Sequence, residues 1–334
     1  MRFDERLEVS SSCSAYLKLL YPSSPHTAAD QYTQLAALRK LCLLDSVPKD
    51  PVEASLIRPL LWKLFLGLNV IDGSEGDSTC HELMESERYL TLCSNGVSPM
   101  FGKIRNDTFR TLATDKEFRE KVGEDRLVRL LEAFVWRQLD PTTHFPNPPP
   151  IDPGTPYVQG MNVLAAPFLF VLSSQLEAFA CFTAFIEQHA PRYVRPTLEG
   201  VHAGLHLVDL ALRSLDATLY NHLLKHNLTA ELYAFPSLLT FCACTPPLDQ
   251  ALSLFDFLLG WGAGLNVLCV VAQLFLMRKE LLGSASPMKL LRTFPPLKTK
   301  EIIPLAVQFV ADINAELYDA IVRHPWDDTL ILDS

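Results

Sequence analysis

Along most of the chain hydrophobic positions recur three and four residues apart, and period-2 alternation is nowhere sustained. Residues 32–44 carry Leu35, Leu38, Leu41 and Leu44 at helical spacing and stop ahead of Pro48 and Pro51. Residues 56–68 put Ile57, Leu60, Leu61, Leu64 and Phe65 on one face, with Arg58 and Trp62 four apart. After a polar stretch at 71–80, helices are predicted at 80–93 and 103–112. A strongly amphipathic one follows at 125–140, striped by Leu127, Leu130, Leu131, Phe134 and Val135. Seven prolines then fall within 141–156. Each removes a backbone donor, so this stretch is predicted to be a stiff, extended surface loop. Further helices are predicted at 163–172, 175–187, 201–225, 230–242, 248–259, 265–282 and 300–324, with Pro304 in the first turn of the last. The pattern predicts an all-α protein: a helical lead-in over 1–50, a main domain over 51–285 and a helical extension over 286–334 packed on it. No block recurs at the 33–47-residue periods of helical arrays, so a solenoid is not expected.

Composition narrows the function more than the fold. The net charge is −9, and Lys and Arg are scattered, without the basic stripe that nucleic-acid binding needs. The most apolar region, 251–277, contains Asp256, Asn266 and Gln273, and Gly260, Gly262 and Gly264 interrupt it. It is therefore read as two buried helices rather than a membrane span. Residues 1–12 mix charge with serine and do not resemble a secretory signal. The eight cysteines mostly sit in apolar helical patterns and form no pair of C-x-x-C knuckles. A reduced, cytoplasmic chain without a zinc site is expected.

Most chemical motifs fail on inspection. His81-Glu82 begins like H-E-x-x-H, but position 85 is Glu. A phosphate-binding G-x-x-x-x-G-K-[ST] loop and a G-x-S-x-G elbow are both missing. His202 with His206 and His222 with His226 lack a nearby third ligand. Two stretches remain. In Ile104-Arg-Asn-Asp-Thr-Phe-Arg110, Asp107 and Arg110 are three apart and share a helix face. A carboxylate there either makes an ordinary surface ion pair or holds the guanidinium in one rotamer for presentation. In Tyr157-Val-Gln-Gly-Met-Asn162, polar side chains and a flexible glycine open an apolar run. Such residues either satisfy nearby backbone or are held out at the end of a rigid element. The first pattern arises by chance in about one chain in twenty, the second in on the order of one in tens of thousands.

In this order and some fifty residues apart, the two stretches resemble the TBC family of GTPase-activating proteins, which act on Rab-like small GTPases. The resemblance runs from about Leu56 to about Leu282 and implies a TBC-type domain of two packed helical lobes. It puts an arginine finger on Arg110 and a glutamine finger on Gln159. Asp107 then orients the first, Tyr157 and Gly160 frame the second, and Ile104, Met161 and Asn162 support them. Arg58 and Trp62 match the family's Arg-x-x-x-Trp element, as a GTPase-facing or structural motif. Phe255-Asp256 stands where many members have Trp-Asp, and Phe is expected to fill the same core volume.

Residues 103–118, 229–233, 247–250 and 286–295 look closer to one fungal branch, the mitotic-checkpoint and septation activators. That similarity implies a mitotic small GTPase as substrate, a scaffold co-subunit and residence at the spindle pole body. No cofactor is expected, because Mg²⁺ and GTP belong to the GTPase, and the activator supplies catalytic residues in trans. The alternative is a catalytically silent helical scaffold that binds a GTPase or another protein.

Overall fold

Side-chain caps mark the starts of several helices among the described residues. The computed structural model describes residues 9–21, 28–68, 78–140 and 156–332, and no strand occurs among the described residues. The first helices are α1 (Ser11–Leu20), α2 (Ala28–Asp45) and α3 (Pro51–Phe65). Pro51 opens α3, where a missing N–H costs nothing, and the Asp50 carboxylate accepts from the Val52 and Glu53 amides.

A first lobe follows, with α4 (Ser78–Ser94), α5 (Phe101–Thr108), α6 (Lys116–Lys121), α7 (Glu124–Leu139), α8 (Met161–Val171) and α9 (Gln175–Ala184). Its centre is α7, which packs against α4, α5, α8 and α9. The predicted stripe explains that position, since Leu127, Leu130, Leu131, Phe134 and Val135 are all buried. The chain leaves α9 through a π-helical turn, Phe185–His189, and a short 3-10 turn, Pro191–Tyr193.

The second lobe holds α10 (Glu199–Leu215), α11 (Ala217–Lys225), α12 (Ala230–Tyr233), α13 (Phe235–Leu239), α14 (Leu248–Trp261) and α15 (Asn266–Leu276). It continues with α16 (Arg278–Gly283), α17 (Pro287–Leu291), α18 (Thr299–Asp312) and α19 (Ala315–Arg323). Here α10 and α15 pack together, α18 lies on α15 and α19 on α10. The molecule is all-α among the described residues, and α14 ties the second lobe to the N-terminal helices by packing on α2 and α3.

One buried constellation fixes that tie. Asp256 of α14 is 2% exposed; it accepts from Arg58 Nε at 2.9 Å, Arg58 Nη2 at 2.8 Å and Trp62 Nε1 at 2.7 Å. Burial works against the Arg58 charge, but the Asp256 carboxylate outweighs it and holds the guanidinium above its ordinary range. Removing one partner of such a buried pair strands the other charge and costs about 3–5 kcal/mol. Trp62 stacks on Phe255 at 5.9 Å and meets the edge of Phe168 at 5.3 Å. Arg58 and Trp62 therefore point into the core, and Phe255 fills its place there at 1% exposure.

Several predicted helices are shorter than expected. The run 201–225 breaks at Asp216, whose carboxylate caps α11 through the Leu219 amide and takes an ion pair from Arg278. The run 300–324 breaks before Asn314, whose Oδ1 caps α19 through the Leu317 amide at 2.7 Å. The run 265–282 turns at Met277, between α15 and α16. In 230–242, α12 and α13 replace one helix, and Phe241 and Cys242 turn the chain at positive φ. The helix predicted at 103–112 ends at Thr108. The proline-rich loop lies outside the described residues up to position 155, as do residues 71–77 of the polar stretch.

Candidate functional site

The site starts from how α5 is anchored. Glu132 lies on the core side of α7, 8% exposed, and its two oxygens accept from Ser98 N and Ser98 Oγ, each at 2.7 Å. Ser98 Oγ in turn accepts from the Met100 amide at the start of α5. Ile104 is fully buried and holds the inner face of the helix. Asp107, Thr108 and Thr111 also face inward, while Arg105, Asn106, Phe109 and Arg110 face out.

Asp107 is the hub. Its Oδ1 accepts from Arg110 Nη2 at 2.6 Å and its Oδ2 from the Tyr157 hydroxyl at 2.9 Å. Its backbone carbonyl accepts from Thr111 Oγ1 at 2.9 Å and Asn162 Nδ2 at 3.3 Å. The Arg110 side chain is 59% exposed while that of Asp107 is 9% exposed. The guanidinium is thus tethered at one edge and open to a visitor elsewhere. An exposed ion pair adds about 0–1 kcal/mol to stability, so its main effect here is orientation.

The second stretch closes on the same hub. Tyr157 is 2% exposed, and burial, with the Asp107 charge beside it, pushes its phenol far above the ordinary range. The hydroxyl stays protonated and donates. Asn162 Nδ2 donates to Thr111 Oγ1 at 2.8 Å, and its Oδ1 accepts from the Gly160 amide at 3.2 Å. Met161 is buried, and its Sδ accepts from the Val158 amide at 3.3 Å. Gly160 takes φ 105° as the N-cap of α8, and a Cβ there would lie 2.8 Å from Leu239 Cδ2. Between buried Val158 and buried Gly160, Gln159 alone is turned out to solvent. Its free amide offers both an acceptor and donors.

The Tyr157 hydroxyl bonds to Asp107, so it serves the arginine side as well as the turn that carries Gln159. Arg58 and Trp62 belong to the Asp256 constellation and take no part in this framework. Thr111 and Glu132 were missed from the sequence. Glu132 had a legible signal, an acid on the apolar face of α7; Thr111 had none beyond following Arg110. A cleft of about 330 Å³ between the starts of α3 and α14 is lined by neither Arg110 nor Gln159. Arg110 and Gln159 are both exposed outside that cleft.

Residues 55–282 match the family model of the Rab-GTPase-TBC domain. The chain belongs to that family of GTPase-activating proteins. Over 311 residues this TBC protein is 40% identical to cell division control protein 16 of Schizosaccharomyces pombe, covering 93% of this chain and 94% of that one. It is 41% identical over 306 residues to mitotic check point protein BUB2 of Saccharomyces cerevisiae, covering 90% and 95%. Its fold matches the Ypt/Rab-GAP domain of Gyp1p with a TM-score of 0.70 at 16% identity, over 90% of this chain and 97% of that domain. No helix among the described residues is long and apolar enough to cross a membrane.

Proposed function

We propose that this TBC protein accelerates GTP hydrolysis on a Rab-like small GTPase by lending it Arg110 and Gln159 in trans. The observation that supports this most is the Asp107 hub, which joins the two motifs while leaving both functional side chains exposed. The GTPase brings GTP and Mg²⁺ as substrate. Arg110, always charged and able to contact two oxygens at once, neutralises charge on the transferring phosphoryl group. Gln159 holds the attacking water in line with the phosphorus, an orienting task for which one amide suffices.

The relatives named for cell division and the mitotic check point support a GTPase of mitotic exit or septation, with this protein as its negative regulator. A scaffold co-subunit and a station at the spindle pole body, reached from the cytoplasm, complete the reading.

Single-turnover hydrolysis with a panel of GTP-loaded Rab-like GTPases tests it. Arg110→Ala is expected to lower the stimulated rate by about 10³–10⁵-fold. Gln159→Ala is expected to lower it on the order of 10²-fold or more, both variants keeping the helical fold. Full stimulation by both variants would sink the two-finger mechanism. GTP-dependent binding without acceleration would instead favour the silent scaffold.

A further inference from the structure

The outer edge of α5 carries a line of side chains that the two-finger chemistry does not use. Phe109 keeps helical dihedrals, φ −52° and ψ −34°, beyond the last residue of α5. Phe101, Arg105 and Phe109 therefore fall at i, i+4 and i+8 along one edge, ending beside Arg110. Arg105 lies over the Phe101 ring, 5.9 Å from its centroid. Its Nε also reaches Glu124 at 3.5 Å, an exposed contact that leaves the guanidinium accessible. Phe109 is 78% exposed, whereas every other phenylalanine among the described residues is buried or half-buried.

Mobility of the chain does not account for that exposure. On one side of Phe109, Asp107 and Thr108 are buried; on the other, Thr111 is buried and bonded to Asn162. A rigid backbone thus holds one aromatic ring in water. Aromatic and arginine side chains are the residue types that concentrate binding energy in protein interfaces, and a ring already fixed in place loses little freedom on docking.

We propose that Phe109, with Arg105 behind it, is the anchor by which this protein selects and holds its GTPase. The occupant is the GTP-bound GTPase, because the stripe is continuous with the surface that presents Arg110. Phe109 enters an apolar depression beside the nucleotide, and Arg105 faces an acidic group on its rim. This inference rests on the two-finger reading above, yet the two separate experimentally. Phe109 contributes to holding the complex in ground state and transition state alike, so its loss acts on KM, whereas loss of Arg110 acts on kcat.

The test uses the panel member that the intact chain stimulates most. Phe109→Ala is expected to raise KM for the GTP-loaded GTPase at least about 10-fold while kcat stays within about 2-fold. Phe109→Leu restores part of the loss, and Arg105→Ala raises KM more at low salt than at high salt. Thermal melting of Phe109→Ala stays at the wild-type value, because the ring is mostly in water. An unchanged KM in Phe109→Ala, alongside a kcat collapse in Arg110→Ala, overturns the anchor and leaves the fingers standing. No stimulation of any panel member by the wild-type chain overturns both.

Discussion

A single hydroxyl ties the two motifs together. Tyr157 lies 50 positions from Asp107 in sequence, and its O–H accounts for one of the two carboxylate contacts that fix Arg110. Tyr157→Phe keeps the ring and its packing but leaves a buried Asp107 oxygen without its donor. The expected cost is about 1–3 kcal/mol of stability. Stimulated kcat is expected to fall by up to about 10²-fold, the scale of a misplacement by about 1 Å. The KM for the GTPase should hardly move, which separates a positioning role from a docking one; urea melts and single-turnover rates measure both effects. At this scale the sequence singled out Arg110 and Gln159, which the structure leaves exposed, because their two short patterns occur together. It did not show that Thr111 braces the hub or that Glu132 anchors the turn before α5. Contacts across fifty residues depend on how helices dock, and spacing along the chain does not encode that.

Among the elements, α8 illustrates how a buried helix presents a polar group. Its body is apolar and buried apart from half-buried Val163 and Val171, so the turn before it is anchored on the core. Gly160 makes the turn possible at φ 105°, a conformation that side-chain-bearing residues rarely adopt. Gly160→Ala is expected to destabilise by about 1–3 kcal/mol through backbone strain and to lower stimulated hydrolysis by displacing Gln159. Urea denaturation and turnover should report the two losses together. Shortening Leu239, whose methyl group the new Cβ would meet, relieves the contact but not the strain. The sequence made element type legible almost everywhere, since apolar periodicity is a local property. Lengths were less legible. Asp216 and Asn314 sit inside long periodic runs, where each caps a new helix; polar residues of that kind compete with the backbone and end helices that periodicity would continue.

For the whole molecule, the C-terminal helices carry a pH-sensitive joint. His324, at the end of α19, is fully buried. Its Nδ1–H donates to the Ile321 carbonyl at 2.7 Å, so Nε2 accepts from the Tyr193 hydroxyl at 2.7 Å. Burial pulls its pKa down to about 4; the Ile321 bond opposes this, and the neighbouring Arg192 adds to it. The unfolded chain therefore takes up a proton near pH 6.5 that the native state refuses. This contribution is full above pH 6.5 and is lost as the pH falls toward 4. Between pH 7 and pH 5 the loss is roughly 2 kcal/mol. Urea midpoints across that window should show it, and His324→Gln should flatten the slope; an equally steep dependence in the variant would exclude His324 as the source.

The Arg58–Asp256 pair spans 198 positions, and that distance has a consequence in time. A ribosome adds about 5–20 residues per second, so Arg58 and Trp62 wait roughly 10–40 s before Asp256 is made. Until then α3 cannot sink its charged and indole groups into the core, and the face that receives α14 stays wet. Helices α2 and α3 are thus dependents of the growing protein, completed only when α14 emerges.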